Sequence, residues 1–307
     1  MKINFSKRFI PILFFIVVIF LFSYYIYDNS HRLHYLLNFS FFSLLMFFFC
    51  TIIGILGRGA INCIIYRLFN VKMSLVEGVA VSLMNTLGNL LPFSGGLVAK
   101  GVYLKKKHNL AYGHYLPATV SLFVVFIGVN GFIGLIGLLY ITKGFQLETP
   151  PILFFAFIFM MLAVLSIWIP FPSKIFPEKW QKNLQNIKEG WQGLGQNKRY
   201  FLILCCIQII SLVSVAVRLS LIFQMLSLNV ALIYCLIFAA ASVLTRLVTI
   251  APGGIGVREA IVGGAGYTLG LNFGLSALVV MIDRIIAILI CFIISLFYSI
   301  IGIKLLR

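Results

Sequence analysis

Seven ionisable residues lie inside otherwise apolar stretches of the sequence: Glu77, Arg218, Arg246, Arg258, Glu259, Asp283 and Arg284. An ionised side chain at the centre of a bilayer costs about 2.5–3.5 kcal/mol on insertion scales, so such residues pair with one another or serve a function. Guanidinium groups stay charged when partly desolvated and grip phosphate oxygens with parallel N–H donors. Holding a phosphate is therefore the chemistry that suits Arg218, Arg246, Arg258 and Arg284 best. Lys100 fits the same task, and equally that of an interfacial anchor. Glu259, Asp283 and Glu77 would set the field, pair with the arginines, or accept a cationic headgroup or a proton. The neighbours Arg258-Glu259 and Asp283-Arg284 also fit plain mutual neutralisation.

Two glycine–proline turns accompany these charges. One carries Pro92, Gly95 and Gly96; the other carries Pro252, Gly253, Gly254 and Gly256, followed at once by Arg258 and Glu259. Proline with several glycines cannot continue a helix. A broken helix within a bilayer is tolerated only where protein or a wet cavity surrounds it. The helix that restarts after each turn offers free N–H groups and a positive dipole end to an anion. A loop between two spans is the plainer reading of the same residues.

The elements that must position these groups are apolar. The chain has 307 residues, 62% hydrophobic and 10% charged, which implies an integral membrane protein. The net charge of +17 would suggest nucleic acid in a soluble protein. Here the basic residues flank apolar runs, so anionic headgroups are the expected partners and nucleic acid is not. Lys2, Lys7 and Arg8 before Phe9–Tyr27 resemble a signal sequence, but the run is long and lacks a small-residue cleavage site. An uncleaved first span is expected. The longest hydrophilic stretch is too short for a soluble enzyme fold.

Eight apolar segments follow one another: Phe9–Tyr27, Leu36–Ile65, Leu75–Leu91, Tyr115–Ile141, Pro151–Ile169, Tyr200–Leu226, Val230–Ile250 and Leu275–Ile303. If all eight cross, more lysines and arginines fall outside than inside, against the usual bias. If Leu75–Leu91 and Val230–Ile250 instead turn back at the two proline tips, eighteen basic loop residues, Arg58 among them, lie inside and two outside. The expected fold is thus all-α and polytopic, with six full spans, two re-entrant helical hairpins and both termini cytoplasmic. Each half reads span, span, hairpin, span, so residues 1–145 and 150–307 of the single transmembrane domain form an inverted repeat. The shared spacings Pro92-x-x-x-Gly96 and Pro252-x-x-x-Gly256 fall at equivalent places in it. Residues 174–199, with Trp180, Leu184, Ile187 and Trp191 at helical steps among lysines, read as an interfacial amphipathic helix.

Other features carry less. Gly128, Gly131, Gly134 and Gly137, and the pairs Gly266/Gly270 and Gly270/Gly274, fit close helix packing. Phe41, Phe42, Phe47, Phe48 and Phe49 are expected to face lipid. The six cysteines form no CxxC pair, and His31 and His34 are a lone HxxH. No metal site and no cofactor are expected. A phosphate loop, an HExxH and a GxSxG elbow are all absent from the sequence.

The chain resembles the flippase-like transmembrane region of the lysylphosphatidylglycerol synthase family along nearly its whole length. The markers are the segment Asn89-Leu90-Leu91-Pro92-Phe93-Ser94-Gly95-Gly96 with Lys100, and the segment Ala251-Pro252-Gly253-Gly254-Ile255-Gly256-Val257-Arg258-Glu259-Ala260. The first departs from the family pattern, with Leu97 in the place of a glutamate and Lys100 in that of an arginine. The resemblance implies binding and translocation of phospholipid, aminoacylated or otherwise modified phospholipid included, across a bacterial or archaeal cytoplasmic membrane. With no aminoacyltransferase domain in the sequence, lysyltransferase activity is not expected. Two other readings remain open: a membrane subunit serving a soluble lipid-modifying enzyme as partner, and a small-anion transporter.

Overall fold

The computed structural model describes residues 40–90, 95–145, 151–165, 196–247, 254 and 256–305. The first span Phe9–Tyr27, His31, His34, the tip residues Pro92, Pro252 and Gly253, and most of the interfacial segment 174–199 lie outside the described residues. All regular structure among the described residues is helical. The order is α1 (Phe41–Arg67), α2 (Leu75–Gly88), α3 (Gly95–His108), α4 (Tyr112–Phe145), α5 (Pro151–Leu165), α6 (Lys198–Met225), α7 (Leu232–Ala241), a 3-10 turn (Ser242–Leu247), α8 (Val257–Thr268) and α9 (Phe273–Leu305).

Length separates these helices into two kinds. Among the described residues, α1, α4, α6 and α9 are long and apolar enough to cross a membrane. α2 and α3 have 14 residues each, about 21 Å at 1.5 Å per residue, which falls short of a hydrocarbon core of about 30 Å. They pack antiparallel. Near the tip Gly88 lies against Gly96, and at the open end Glu77 meets Tyr103, Lys107 and His108. Ser74 starts α2 by accepting the Glu77 N–H at 3.2 Å, an N-cap that fixes where the helix begins. α7, its 3-10 turn and α8 pair in the same sense: Thr245 lies near Gly254, and Phe238 near Gly266.

The packing is reciprocal. α1 and α6 lie against each other, and each carries the first helix of the short pair that follows it, α2 on α1 and α7 on α6. The long helix after each short pair packs on the other pair: α4 on α7, and α9 on α2. A shift of 160 residues relates α1 to α4 with α6 to α9, leaving α5 aside; Pro92 and Pro252 stand 160 apart, as do Gly96 and Gly256. The same shift carries Gly95–His108 to 255–268 and Tyr112–Phe145 to 272–305, against observed helices Val257–Thr268 and Phe273–Leu305.

Small residues set the closest approaches. A Cβ on Gly128, Gly131 or Gly134 would collide with α5, and one on Gly137 would press on Ile237 of α7. Gly59 and Gly78 let the α1 and α2 backbones meet, and Gly266 sits against Ser276. Gly270 differs from the packing role expected of it. Nothing lies near it, and its φ of +80° ends α8 in a left-handed conformation that suits glycine. The phenylalanine run also divides: Phe41 is 80% and Phe42 73% exposed, whereas Phe47 is 1% exposed and belongs to the core.

Candidate functional site

The second helix pair delivers its charges to one point. Gly256 takes a φ of +84°, a turn that glycine adopts without strain, and α8 starts behind it. Arg258 and Glu259 therefore occupy the first turn of α8. One Glu259 oxygen closes the helix end by accepting the Gly256 N–H at 2.8 Å, and the other faces Arg284 Nη1 at 3.4 Å. Arg284 and Asp283 come from the middle of α9, and Arg218 from α6.

Asp283 is fully buried and is the hub. Arg218 grips it with two donors, Nε to Oδ1 at 2.8 Å and Nη2 to Oδ2 at 3.2 Å. Arg258 Nη2 reaches the same Oδ2 at 3.3 Å. The third Arg218 nitrogen, Nη1, points to Thr51 Oγ1 of α1 at 3.4 Å. The ring of Phe47, one helical turn from Thr51, lies 5.3 Å from the Arg218 guanidinium. Phe47 is buried in the apolar core, and its electron-rich face there stabilises the cation. Three arginines thus share two carboxylates, and the contacts made by Arg258 and Arg284 are long. A phosphate oxygen could replace a carboxylate oxygen at either of them with no break in the bidentate Arg218–Asp283 pair.

The structure brings Arg218, Arg258, Glu259, Asp283 and Arg284 together. Arg246 lies on the 3-10 turn, and its side chain is outside the described residues. Lys100 is buried elsewhere, in α3, where its Nζ donates to Asn62 Oδ1 at 2.7 Å and sits 4.9 Å above the Tyr66 ring. Asn62 in turn donates to the Gly78 carbonyl at 3.2 Å. Glu77 does not join the ion cluster. It stands at the open end of the first pair, taking bonds from Tyr103 Oη at 2.8 Å and Lys107 Nζ at 3.1 Å, with His108 Nε2 at 2.7 Å. No cluster of three or more metal-ligating side chains occurs among the described residues.

Four residues have a place here that the sequence reading did not give them: Phe47, expected to face lipid, Arg58, and Thr51 and Asn62. Arg58 is the important one, because the charge tally treats it as a loop cation. It lies well inside α1, and its Nε is buried with no hydrogen-bond partner. The available signal was its position within the apolar run Leu36–Ile65. Thr51, Arg58 and Asn62 are spaced by seven and four residues, so they line one face of α1.

A family model described as lysylphosphatidylglycerol synthase TM region matches residues 8–295. No curated protein and no solved structure matches the chain.

Proposed function

Because the chain belongs to the lysylphosphatidylglycerol synthase transmembrane-region family, we propose that it binds phospholipid by the headgroup phosphate and moves it across the cytoplasmic membrane of a bacterial or archaeal cell. The observation that carries this reading is the convergence of Arg218, Arg258 and Arg284 on Asp283 and Glu259 at the start of α8. In this reading the two short helix pairs are re-entrant hairpins that enter from opposite faces, and their tips gate the path alternately. Their lengths and the reciprocal packing of the two halves support it. Six crossings with both termini cytoplasmic, halves at 1–145 and 150–307, and an interfacial helix at 174–199 complete the plan.

The roles divide by geometry. Arg258 and Arg284 exchange their long carboxylate contacts for phosphate oxygens, while Arg218 holds Asp283 in place. Glu259 keeps α8 started and limits the positive field. Arg246 and Lys100 add positive charge near the second and the first tip. Hydrolysis of a nucleotide is not part of the scheme; the lipid gradient or a coupled ion sets the direction.

Reconstitution into vesicles with fluorescent phospholipid tests the proposal, with dithionite bleaching the outer leaflet. The full chain should expose inner-leaflet probe, and Arg258→Ala and Glu259→Ala should each slow that exposure about tenfold or more, as expected when a charged hydrogen bond is lost. Wild-type rates in both variants would remove the site. Uptake of a water-soluble anion in place of lipid would favour a small-anion transporter, and turnover by a co-purifying soluble transferase would favour a membrane subunit.

A further inference from the structure

α1 ends in a turn whose shape is fixed without help from its charges. The Asn70 N–H donates to the Arg67 carbonyl at 3.1 Å, and the Val71 N–H to the Tyr66 carbonyl at 3.0 Å. Asn70 takes a φ of +61°, which completes a Schellman cap. Val71 is buried in the core, and the Cys63 thiol donates to the Ser74 carbonyl at 3.3 Å, so the turn is tied down along its length. α6 ends in the same kind of turn. There the Ser227 N–H donates to the Gln224 carbonyl and the Leu228 N–H to the Phe223 carbonyl, both at 2.9 Å, with Ser227 at a φ of +58°. Counted from the left-handed residue, neutral Gln224 and Asn229 stand where the first turn has Arg67 and Lys72. The cap therefore forms with or without cations, and the cations of the first turn need a reason of their own.

The first turn borders a hollow of about 570 Å³, lined by Arg67, Asn70, Lys72, Met73 and Ser74. That size lies within the range of small-ligand sites, about 300–1,000 Å³. No carboxylate lines the hollow, and among the described residues neither Arg67 nor Lys72 forms an ion pair. Glu77, the nearest acid along the chain, is taken up by Tyr103, Lys107 and His108 of α3. Two exposed cations that share one hollow suit an anion, and the Arg67 guanidinium can grip two phosphate oxygens in parallel.

The surroundings decide which anion. Leu75 and Val76 follow Ser74 directly and are exposed, as apolar side chains are where acyl chains cover them. The contact of Glu77 with Lys107 and His108 puts the end of α3 at the same end of the bundle. There Lys105 Nζ lies 4.6 Å from the centre of the Tyr112 ring, a pairing that suits headgroup depth. Basic pockets at the cytoplasmic ends of membrane helices bind anionic headgroups.

We infer that Arg67 and Lys72 hold, in this hollow, the headgroup phosphate of an anionic phospholipid from the cytoplasmic leaflet. The site is separate from the ion cluster. Arg67 stands sixteen residues along α1 from Thr51, which touches that cluster, about 24 Å at 1.5 Å per residue. The inference rests on the membrane placement proposed above, but not on transport by the cluster.

The test titrates the purified full chain in detergent with dioctanoyl phosphatidylglycerol, dioctanoyl phosphatidylcholine and glycerol phosphate, read by calorimetry. The titration is repeated in Arg258→Ala, which disables the ion cluster. Phosphatidylglycerol should still bind to Arg258→Ala, and more tightly than the other two probes. In that background Arg67→Gln and Lys72→Gln should each weaken it about threefold and together about tenfold, the scale of exposed charge contacts. Lys72→Arg should leave it nearly unchanged. Both side chains are exposed, so these variants keep the fold. Unchanged affinity in the double Gln variant would overturn the inference. So would phosphatidylcholine binding as tightly as phosphatidylglycerol, which removes the anion, or glycerol phosphate doing so, which removes the lipid. Binding to the wild type that vanishes in Arg258→Ala alone would also overturn it, while leaving the proposed function standing.

Discussion

The two short helix pairs begin from similar turns and end in different electrostatics. In the second, α8 packs along α9 and is fastened to it by Arg258–Asp283 and Glu259–Arg284. In the first, α3 makes few contacts with α4, chiefly through Tyr115, whose hydroxyl donates to the Leu97 carbonyl at 2.7 Å. Val98 and Ala99 stand where the second pair has Arg258 and Glu259. Its one buried cation, Lys100, is held by a neutral amide. One short pair is thus ion-paired to the helix beside it, and the other rests on apolar contact and on neutral hydrogen-bond partners, Asn62 and Tyr115. Similar backbone plans do not impose similar fields; the residues one turn beyond the glycines decide them.

The largest test of that contrast is Asp283→Ala. Removing the carboxylate leaves Arg218 and Arg258 facing each other unneutralised, and should cost about 3–5 kcal/mol. Denaturant unfolding in detergent measures it, and near-wild-type stability would erase the distinction between the hairpins. Lys100→Met should change stability by less than about 1 kcal/mol, because an isolated buried cation costs desolvation that an apolar side chain of similar size avoids. A loss as large as that of Asp283→Ala would mean that the first hairpin is fastened as firmly as the second. Glu77→Gln should have the smallest effect, roughly 0.5 kcal/mol, since its partners lie at the open end with Lys107 well exposed. The same unfolding series reads it, and a cost above that of Lys100→Met would move the first pair's anchor from Lys100 to its open end.

The apolar runs made the helices legible. The run Leu75–Leu91 became α2, Leu75–Gly88, and the run Tyr200–Leu226 became α6, Lys198–Met225. The charges beyond the second proline tip were legible too, because Arg258-Glu259 and Asp283-Arg284 interrupt stretches where nothing else is charged. Partner choice was not. Adjacent residues on a helix point about 100° apart, so Asp283 could not pair with Arg284 beside it and took Arg218 and Arg258 from other elements instead. Arg58 escaped because a charge count assigns each cation to a loop by its neighbours along the chain. Where a 30-residue run carries its charge toward one end, only the partner helix decides whether that end is wet. Glu77 was grouped with the arginines for being near an apolar segment, yet the N-cap at Ser74 turns it toward Tyr103 and His108.

The glycine contact between α1 and α2 has a mechanical side. At Gly59 and Gly78 main chain rests on main chain, with Val79 against Gly59, Cys63 against Gly78 and the Asn62 amide bonded to the Gly78 carbonyl. Backbones this close resist a change of crossing angle, because rotation in either sense drives one main chain into the other. The first short pair is thereby seated on the helix that carries Arg58, so a displacement of α2 carries that stretch of α1 with it.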